Sequence, residues 1–556
     1  MRGLFSFLRV LYALYMAIRY TSTRDSKVDV SIAEAIVQGM PQDGGLFVPR
    51  NIPKLSPEAL FEPKLNYAEL AWIVLSPWFD WSEAELRPLI EEAYSSSCDK
   101  SKFDTPEIVL LSNAGSLDCK NEYRDEKQPT QFFLLELFHG MTCAFKDLAL
   151  SILGGLLSKS LEKCGIDEPV LVLTATSGDT GSAALAGLGG QQGIRIAVIY
   201  PAEGTSEIQR LQMTSVPLED RCVIGLKGTF DDAQRKAKNI FQSAKDPRSP
   251  FFGIRLSSAN SINMGRLLPQ IVYYVKAWRD LYFAGAINCD GSFDVVVPSG
   301  NFGDILAARY AKAMGLPIRR LVCASNSNRI LYDFFATGIY DKRRAFNKTP
   351  SPSMDILISS NLERLLYHAF GNNSESVSRL MHRFENEGFF QIPEQFAINI
   401  SDFYAGWADD FQTLQSIRHM WEVHNLLVDP HTAVACKVAH EVFVNSQNHQ
   451  KDSKIIKAQA INPIVIAATA SPFKFPKSCL AALQGNLQNS LISHNELPLA
   501  FELSNSTDIS VPKPIADLVT AKINHAMIVE ESNLESVLAD FVHKTAESQV
   551  YRKSTM

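Results

Sequence analysis

The chain has no excess of positive charge: 54 lysines and arginines stand against 60 aspartates and glutamates, a formal net charge of −6. Without a basic footprint, nucleic acid is not an expected partner. Cysteine is sparse as well. The nine cysteines in 556 residues are scattered, odd in number and include no C-x-x-C pair. That pattern offers neither a zinc site nor a disulfide framework, so no metal is expected, and it suits reduced thiols in a reducing compartment. There is no internal repeat, no low-complexity tract and no long apolar run free of charge. Residues 1–19 come nearest, but Arg2, Arg9 and Arg19 interrupt them and the stretch is too short for a persuasive membrane span. We treat 1–19 as an N-terminal extension. Its basic, acid-free character is that of an organellar presequence, and the other reading is a start at Met16. What remains is ordinary: 46% hydrophobic and 21% charged, in a chain long enough for several domains around a large core.

The chemistry concentrates in Phe138-His139-Gly140-Met141-Thr142-Cys143-Ala144-Phe145-Lys146-Asp147. An apolar run from Phe132 to Leu137 leads into it and reads as a strand, and apolar spacing from Asp147 to Leu157 reads as a helix. Lys146 therefore sits at a strand-to-helix turn, beside a positive helix end and apolar neighbours. Both disfavour an ammonium and leave an amine able to attack a carbonyl. A lone lysine here would be an ordinary solvated one. Two further stretches change that. Val170 to Leu173 reads as a buried strand running into Ser177-Gly178-Asp179-Thr180-Gly181, a glycine loop at a helix start where an anion can be held. Val295 to Pro298 repeats the plan before Ser299-Gly300-Asn301-Phe302-Gly303-Asp304 and a helix from Ile305 to Met314. A carbonyl-seeking lysine with two anion loops describes a cofactor bearing one aldehyde and one phosphate, pyridoxal phosphate.

These phrases resemble those of the threonine synthase family. Members typically carry a phrase like LFHGPTxAFKD, then ATSGDTG, then SGNFGN or SGNFGD, then a late STAHPAKF-like segment. Here they stand at Leu137 to Asp147, Ala175 to Gly181, Ser299 to Asp304 and Ala468 to Phe475, in the same order. Asp43 to Pro49, Ser258 to Asn263 and Asp429 to Ala433 support the match, which runs from about Tyr20 to Phe475. The resemblance implies an α/β fold of the pyridoxal-phosphate fold type II, tryptophan synthase β-like, with two parallel-sheet subdomains and a small N-terminal domain. The expected division is 20–115 for that domain, 116–480 for the cofactor-binding region and 481–556 for a closing segment. Short apolar runs at Ile196 to Ile199, Cys222 to Leu226 and Leu321 to Ala324, alternating with helices, independently argue for βαβ units. Residues 118–128 and 447–453 read as polar links. Asp341 to Arg344 read as a solvated surface loop, and Asp517 to Thr545 show helical spacing.

By the same resemblance, Lys146 is the catalytic lysine that bonds the cofactor's aldehyde. Gly300, Asn301, Phe302, Gly303 and Asp304 form its phosphate loop, with Asp304 expected to contribute its backbone amide because a carboxylate would repel phosphate. Thr469 is expected at the pyridine nitrogen. Ser177, Gly178, Asp179, Thr180 and Gly181 are expected at the substrate carboxylate, and for Asp179 a loop-shaping or capping part is the alternative. Asn260, Asn263 and Arg266 are candidates for the substrate phosphate, with Arg364 behind them; a structural ion pair is the other reading of Arg266. His139 reads as a pocket-shaping residue, and Cys143 as a small wall residue or a reactive thiol.

The implied reaction converts O-phosphohomoserine and water into L-threonine and phosphate. A related phospho-lyase that releases 2-oxobutanoate, ammonia and phosphate from O-phosphohomoserine or O-phosphothreonine would share every cofactor residue. Met141 where proline is common, Met264 where an aromatic is common and Ser471 where histidine is common are the departures that keep this alternative open. A binding protein on a retired enzyme fold would have lost the lysine. The expectation is a cytoplasmic enzyme, or a mitochondrial one if residues 1–19 act as a presequence. Its partner is a small phosphorylated amino acid, it makes no stable membrane insertion, and it is a monomer or homodimer.

Overall fold

The structure, a computed structural model, describes residues 18–95, 103, 108–117, 130–244, 246–443, 462–485 and 495–553. The links expected at 118–128 and 447–453, and the extension up to residue 17, lie outside the described residues.

The alternation of apolar runs and helices resolves into two sheets. One has six strands in the spatial order Phe403–Trp407, Ile318–Ser325, Phe293–Pro298, Ile464–Ala468, Thr130–Glu136 and Leu110–Leu117. All its neighbours are parallel except the last pair. The other has five parallel strands in the order Ile528–Val529, Arg221–Leu226, Ile194–Pro201, Val170–Ala175 and Arg255–Ser257. Every residue of Ile194–Pro201, Phe293–Pro298 and Ile464–Ala468 is buried. Helices cover both faces of such strands, which is why they read as unbroken apolar runs.

Each catalytic phrase begins where one of these strands ends. Thr130–Glu136 runs into the turn before helix Lys146–Lys163, Val170–Ala175 into the loop before helix Asp179–Leu188, and Phe293–Pro298 into the loop before helix Gly303–Met314. Ile464–Ala468 delivers Thr469 directly. Function at the carboxyl ends of parallel strands follows from this wiring.

The N-terminal segment is built from local signals. Helix Ile32–Gln38 starts at Ser31, whose hydroxyl accepts from the Glu34 amide (3.2 Å) while the Glu34 carboxylate accepts from the Ser31 amide (2.7 Å), a reciprocal cap. The segment packs into the body of the molecule through one apolar cluster that includes Tyr20, Trp78, Tyr94, Leu148 and Tyr310. Polar ties reinforce it. Glu363 accepts from Thr23 Oγ1 (2.5 Å) and from Arg24 Nε and Nη2 (2.9 Å each), and Tyr94 donates to the Leu148 carbonyl (2.5 Å).

The tail departs from its sequence pattern. The helix expected over Asp517 to Thr545 is a short turn at Asp517–Val519, then an extended run, the strand Ile528–Val529, and a helix only from Leu534–Lys553. The chain must travel from Thr214, whose carbonyl accepts from the Asn524 and His525 amides, to the edge of Arg221–Leu226. A continuous helix cannot make that crossing. Conversely, the polar stretch after Ser504 is partly helical, because Leu497–Thr507 buries Ala500 and Leu503. Asp341 to Arg344 leave a small two-stranded antiparallel sheet, Ile339–Asp341 with Phe389–Gln391, where the Arg343 guanidinium lies 4.1 Å from the Phe389 ring centroid.

Among the described residues, no helix is long and apolar enough to cross a membrane, and no group of three or more histidine, cysteine or acidic residues is placed to hold a metal ion.

Candidate active site

Lys146 is the first residue of its helix, and the turn before it is held by Asp147. The Asp147 carboxylate accepts from the Thr142 amide (2.9 Å), the Thr142 hydroxyl (2.7 Å) and the Ala144 amide (3.4 Å). This clamp does the work that a fixed proline φ would do at Met141. Gly140 is required by it, since a Cβ there would lie 2.5 Å from the Asp147 Cβ. Cys143 adopts a left-handed φ of 56° inside the turn and is buried, a wall residue by position.

The Lys146 amine points across to the other sheet's loop and donates to Asp179 Oδ2 at 3.1 Å. Asp179 is the anion around which the site is assembled. Its Oδ1 accepts from Gln209 Nε2 (2.7 Å) and faces Lys474 Nζ at 2.8 Å, and its Oδ2 also accepts from Ser353 Oγ (3.0 Å). Burial pushes the Asp179 carboxyl up, but the two ammonium groups overcome it and hold it well below the usual carboxylate range. Burial pulls the Lys146 ammonium below the usual lysine value against the attraction of Asp179, with Lys474 and Arg266 adding to the lowering. Lys474 is wholly buried and also donates to the Thr142 carbonyl at 2.7 Å. Behind Ser353 stands His431. Its Nε2 accepts from the Ser353 amide (3.1 Å), and its Nδ1 faces the fully buried Asp429 at 2.5 Å. The ring is thereby oriented with its proton toward Asp429.

The loop Ser299 to Phe302 turns into its helix with Phe302 at a left-handed φ of 62°. Gly300 passes so close to Ser353 that a Cβ would lie 2.7 Å from the Ser353 carbonyl oxygen. Asn301 is exposed, and its carbonyl accepts from the amide and the side chain of Asn361 (3.1 and 3.0 Å). Asp304 turns away from the loop: its Oδ1 accepts from the hydroxyls of Tyr273 (2.5 Å) and Tyr274 (2.6 Å). Burial pushes this carboxyl up to about 6 against those two hydrogen bonds. Thr469 is buried, its carbonyl accepts from the Phe145 amide (2.8 Å), and its hydroxyl makes no hydrogen bond among the described residues.

Arg266 is buried without an acidic partner among the described residues. One terminal nitrogen donates to the Ala259 carbonyl (2.7 Å), Nε has no partner, and burial pulls the guanidinium down to about 10. The ion-pair reading of Arg266 is therefore not what the fold builds. Asn263 is spent locally, donating to the carbonyls of Ile36 (3.0 Å) and Ser258 (3.4 Å) and accepting from the Gly265 amide (2.9 Å). Its side chain shapes the loop. Asn260 is exposed next to it. Arg364 is fully buried and engaged by the carbonyls of Phe47 (2.8 Å) and Ile262 (2.5 Å) and by Asn361 Oδ1. It latches the N-terminal segment to the body, with each of its three guanidinium nitrogens bonded within the chain. Ser177 and Thr180 are half-buried at the loop, and Gly178 and Gly181 fit only as glycine: a Cβ would meet Gln209 at 2.3 Å and Thr176 at 2.5 Å.

Sequence reasoning gave no part to Lys474, Gln209, Ser353 or His431. Lys474 and His431 sat inside quoted phrases, where two more charged or titratable residues could have been asked for a role. Gln209 and Ser353 carry no sequence signal, since only the fold brings them to Asp179.

Two largely parallel sheets that present a half-buried lysine, a glycine loop at a helix start and a threonine from their carboxyl ends make this an α/β fold of type II, with an N-terminal segment packed against it. Residues 19–94 match the family model described as the threonine synthase N terminus. Over 532 residues the chain is 37% identical to the threonine synthase of Eremothecium gossypii, covering 90% of this chain and 97% of that one. It is 36% identical over 488 residues to threonine synthase-like 1 of Homo sapiens, covering 84% of this chain and 61% of that one. The crystal structure of pyridoxal-phosphate-bound threonine synthase from Brucella melitensis superposes with a TM-score of 0.77 at 32% identity, covering 94% of this chain and 99% of that one. The chain belongs to the threonine synthase family.

Proposed function

We propose that this protein is a pyridoxal-phosphate-dependent lyase that converts O-phosphohomoserine and water into L-threonine and phosphate. The observation that carries the proposal is the contact of Lys146 with Asp179 and, near enough to act on the Lys146 ammonium, a buried Arg266 with no acidic partner among the described residues, in a member of this family.

The residues fit the cofactor. Lys146 supplies a half-buried amine with a lowered proton affinity, the loop Gly300 to Gly303 opens a 12-residue helix with its amides, and the Asp304 carboxylate is withdrawn from that loop. Thr469 holds an unused hydroxyl at the end of the central strand, where a neutral partner would leave a pyridine nitrogen unprotonated. When bound, the cofactor withdraws electrons from the substrate α-carbon and acidifies its proton. Lys146, released from its covalent duty by substrate, is the group placed to take protons from Cα and Cβ and return them. Ser177, Thr180 and the loop amides around Gly178 and Gly181 are donors for the substrate carboxylate, while Asp179 faces the amines rather than an anion. Arg266 has a buried donor with no partner among the described residues, the kind of group a phosphate would satisfy, with Asn260 exposed at the same loop.

Two measurements test this. Borohydride reduction should fix pyridoxal phosphate on Lys146 of the wild type and leave none on Lys146→Ala; a covalent adduct elsewhere would end the assignment. Incubation with O-phosphohomoserine should yield threonine and phosphate in equal amounts. Accumulation of 2-oxobutanoate and ammonia in their place would make the protein the phospho-lyase.

A further inference from the structure

Two lysines share one buried carboxylate in this site, and only one of them is needed to hold a cofactor. Lys474 is wholly buried, and its amine is fixed between Asp179 Oδ1 (2.8 Å) and the Thr142 carbonyl (2.7 Å). A neutral donor would serve the Thr142 carbonyl as well, whereas burying a second ammonium is costly unless it is paired. The charge balance supplies the reason. With both lysines protonated, the trio carries one net positive charge. When Lys146 loses its proton, Lys474 and Asp179 remain as a neutral pair. Remove Lys474, and deprotonating Lys146 would strand a buried carboxylate alone, so Asp179 would lock Lys146 in its ammonium form.

We propose that Lys474 is a positioning residue that keeps Asp179 paired and so lets the Lys146 amine become neutral and nucleophilic. This rests on the reading of Lys146 as the residue that bonds the cofactor. Asp179 in turn aims Lys146 across the gap between the two sheets, and Gln209 and Ser353 complete its hydrogen bonds so that it does not depend on Lys146 alone. The other charges facing Lys146 have settled partners or the same sign. Arg266 is a second cation and acts in the same direction as Lys474. Asp147, on the same helix, is clamped by Thr142 and the Ala144 amide. Glu136 faces His139, and His431 with Asp429 stands behind Ser353, as does Asp355 bonded to Thr349.

The test reads the amine directly and needs no cofactor. Full-length protein freed of cofactor is pulse-labelled with trace acetic anhydride across pH, and acetylation of Lys146 is quantified by mass spectrometry. Lys474→Met should move the Lys146 midpoint up by more than one unit, cutting the reactive fraction at neutral pH at least tenfold. Lys474→Arg, which keeps the charge, should stay near wild type. Asp179→Asn should move the midpoint below wild type, because Lys146 then faces Lys474 with nothing between them. The double variant Asp179→Asn, Lys474→Met should cancel the upward shift. An unchanged or lowered midpoint in Lys474→Met overturns the proposal. If that variant does not fold, an unchanged or raised midpoint in Asp179→Asn overturns it equally. A Lys146 that shifts as described but never takes up pyridoxal phosphate would sink the cofactor assignment and leave this inference standing.

Discussion

At the scale of single residues, the site is governed by which charges have partners. Asp179 has four donors around it, whereas Arg266 keeps a nitrogen that bonds nothing among the described residues. A buried cation is expensive to leave uncompensated, so its compensation is expected from a ligand anion. Arg266→Ala should therefore weaken use of O-phosphohomoserine and leave cofactor content alone. Losing a charge-assisted pair to a buried phosphate costs about 2–5 kcal/mol, roughly 30-fold to several thousand-fold in kcat/KM. Arg266→Lys should recover only part, because an ammonium cannot reproduce the planar fork. Steady-state kinetics with cofactor absorbance on the same samples decides it: near-normal kcat/KM, or loss of the cofactor, would show Arg266 to be structural. The residue roles readable in the sequence were those written as local phrases. Lys146 stands at the strand-to-helix turn where its spacing put it, and the Asp304 carboxylate faces Tyr273 rather than the glycine loop. The partners of Asn263 and Arg364 could not be read from the sequence because they are not local: Ile36, Phe47 and Ile262 are reached only through the fold.

At the scale of elements, helix Gly303–Met314 lies against helix Gln270–Phe283 through a polar contact in an apolar interface. Tyr273 and Tyr274 both donate to Asp304 Oδ1, and Oδ2 has no partner among the described residues. Burial raises this carboxyl from 3.8 to about 6. The folded state therefore holds the proton more tightly than the unfolded chain does. The stabilisation is fully present below about pH 4 and is lost as pH rises through 6, for a total of about 3 kcal/mol. Between pH 5 and 8 the loss from this one group is roughly 1.4 kcal/mol. Asp304→Asn should abolish that slope, so the stability of the variant relative to wild type should climb by that amount from pH 5 to 8. Urea titrations at the two pH values measure it, and parallel pH profiles for both proteins would refute it. Element by element, long periodic or unbroken apolar runs were legible: Val170–Ala175, Phe293–Pro298 and helix Gly303–Met314 fall where their patterns put them. Strands such as Arg255–Ser257 and Ile528–Val529 were not, because two or three residues carry no period. They are strands only because a sheet edge is there to pair with.

At the scale of the whole molecule, the site exists because two sheets are held in one relation. Lys146 and Thr469 belong to the six-stranded sheet and Asp179 to the five-stranded one, and the 3.1 Å contact between Lys146 and Asp179 spans them. The five-stranded sheet is finished by the C-terminal tail. Ile528–Val529 pairs with Gly225 and Leu226, and the Gly225 and Lys227 amides donate to the Met527 and Val529 carbonyls (2.9 Å each). Arg195 donates to the Val542 carbonyl at 2.9 Å. Leu534, Leu538 and Val542 enter the cluster of Leu171, Leu173, Ile199 and Ile224, which includes residues of the strand that leads to Asp179. Burying each such side chain contributes about 1.5–3 kcal/mol, so three of them and the edge strand rival the roughly 5–15 kcal/mol by which a domain is stable. Deleting residues 527–556 should therefore leave a chain that aggregates, or that unfolds without a cooperative transition and takes up no pyridoxal phosphate. The milder Leu538→Ala should cost about 2–5 kcal/mol and lower the Tm while the folded fraction still reacts with cofactor at Lys146. Thermal melts and borohydride trapping on both proteins separate the outcomes. A truncated chain with the wild-type Tm and full cofactor uptake would mean that the five-stranded sheet holds Asp179 in place without its C-terminal edge.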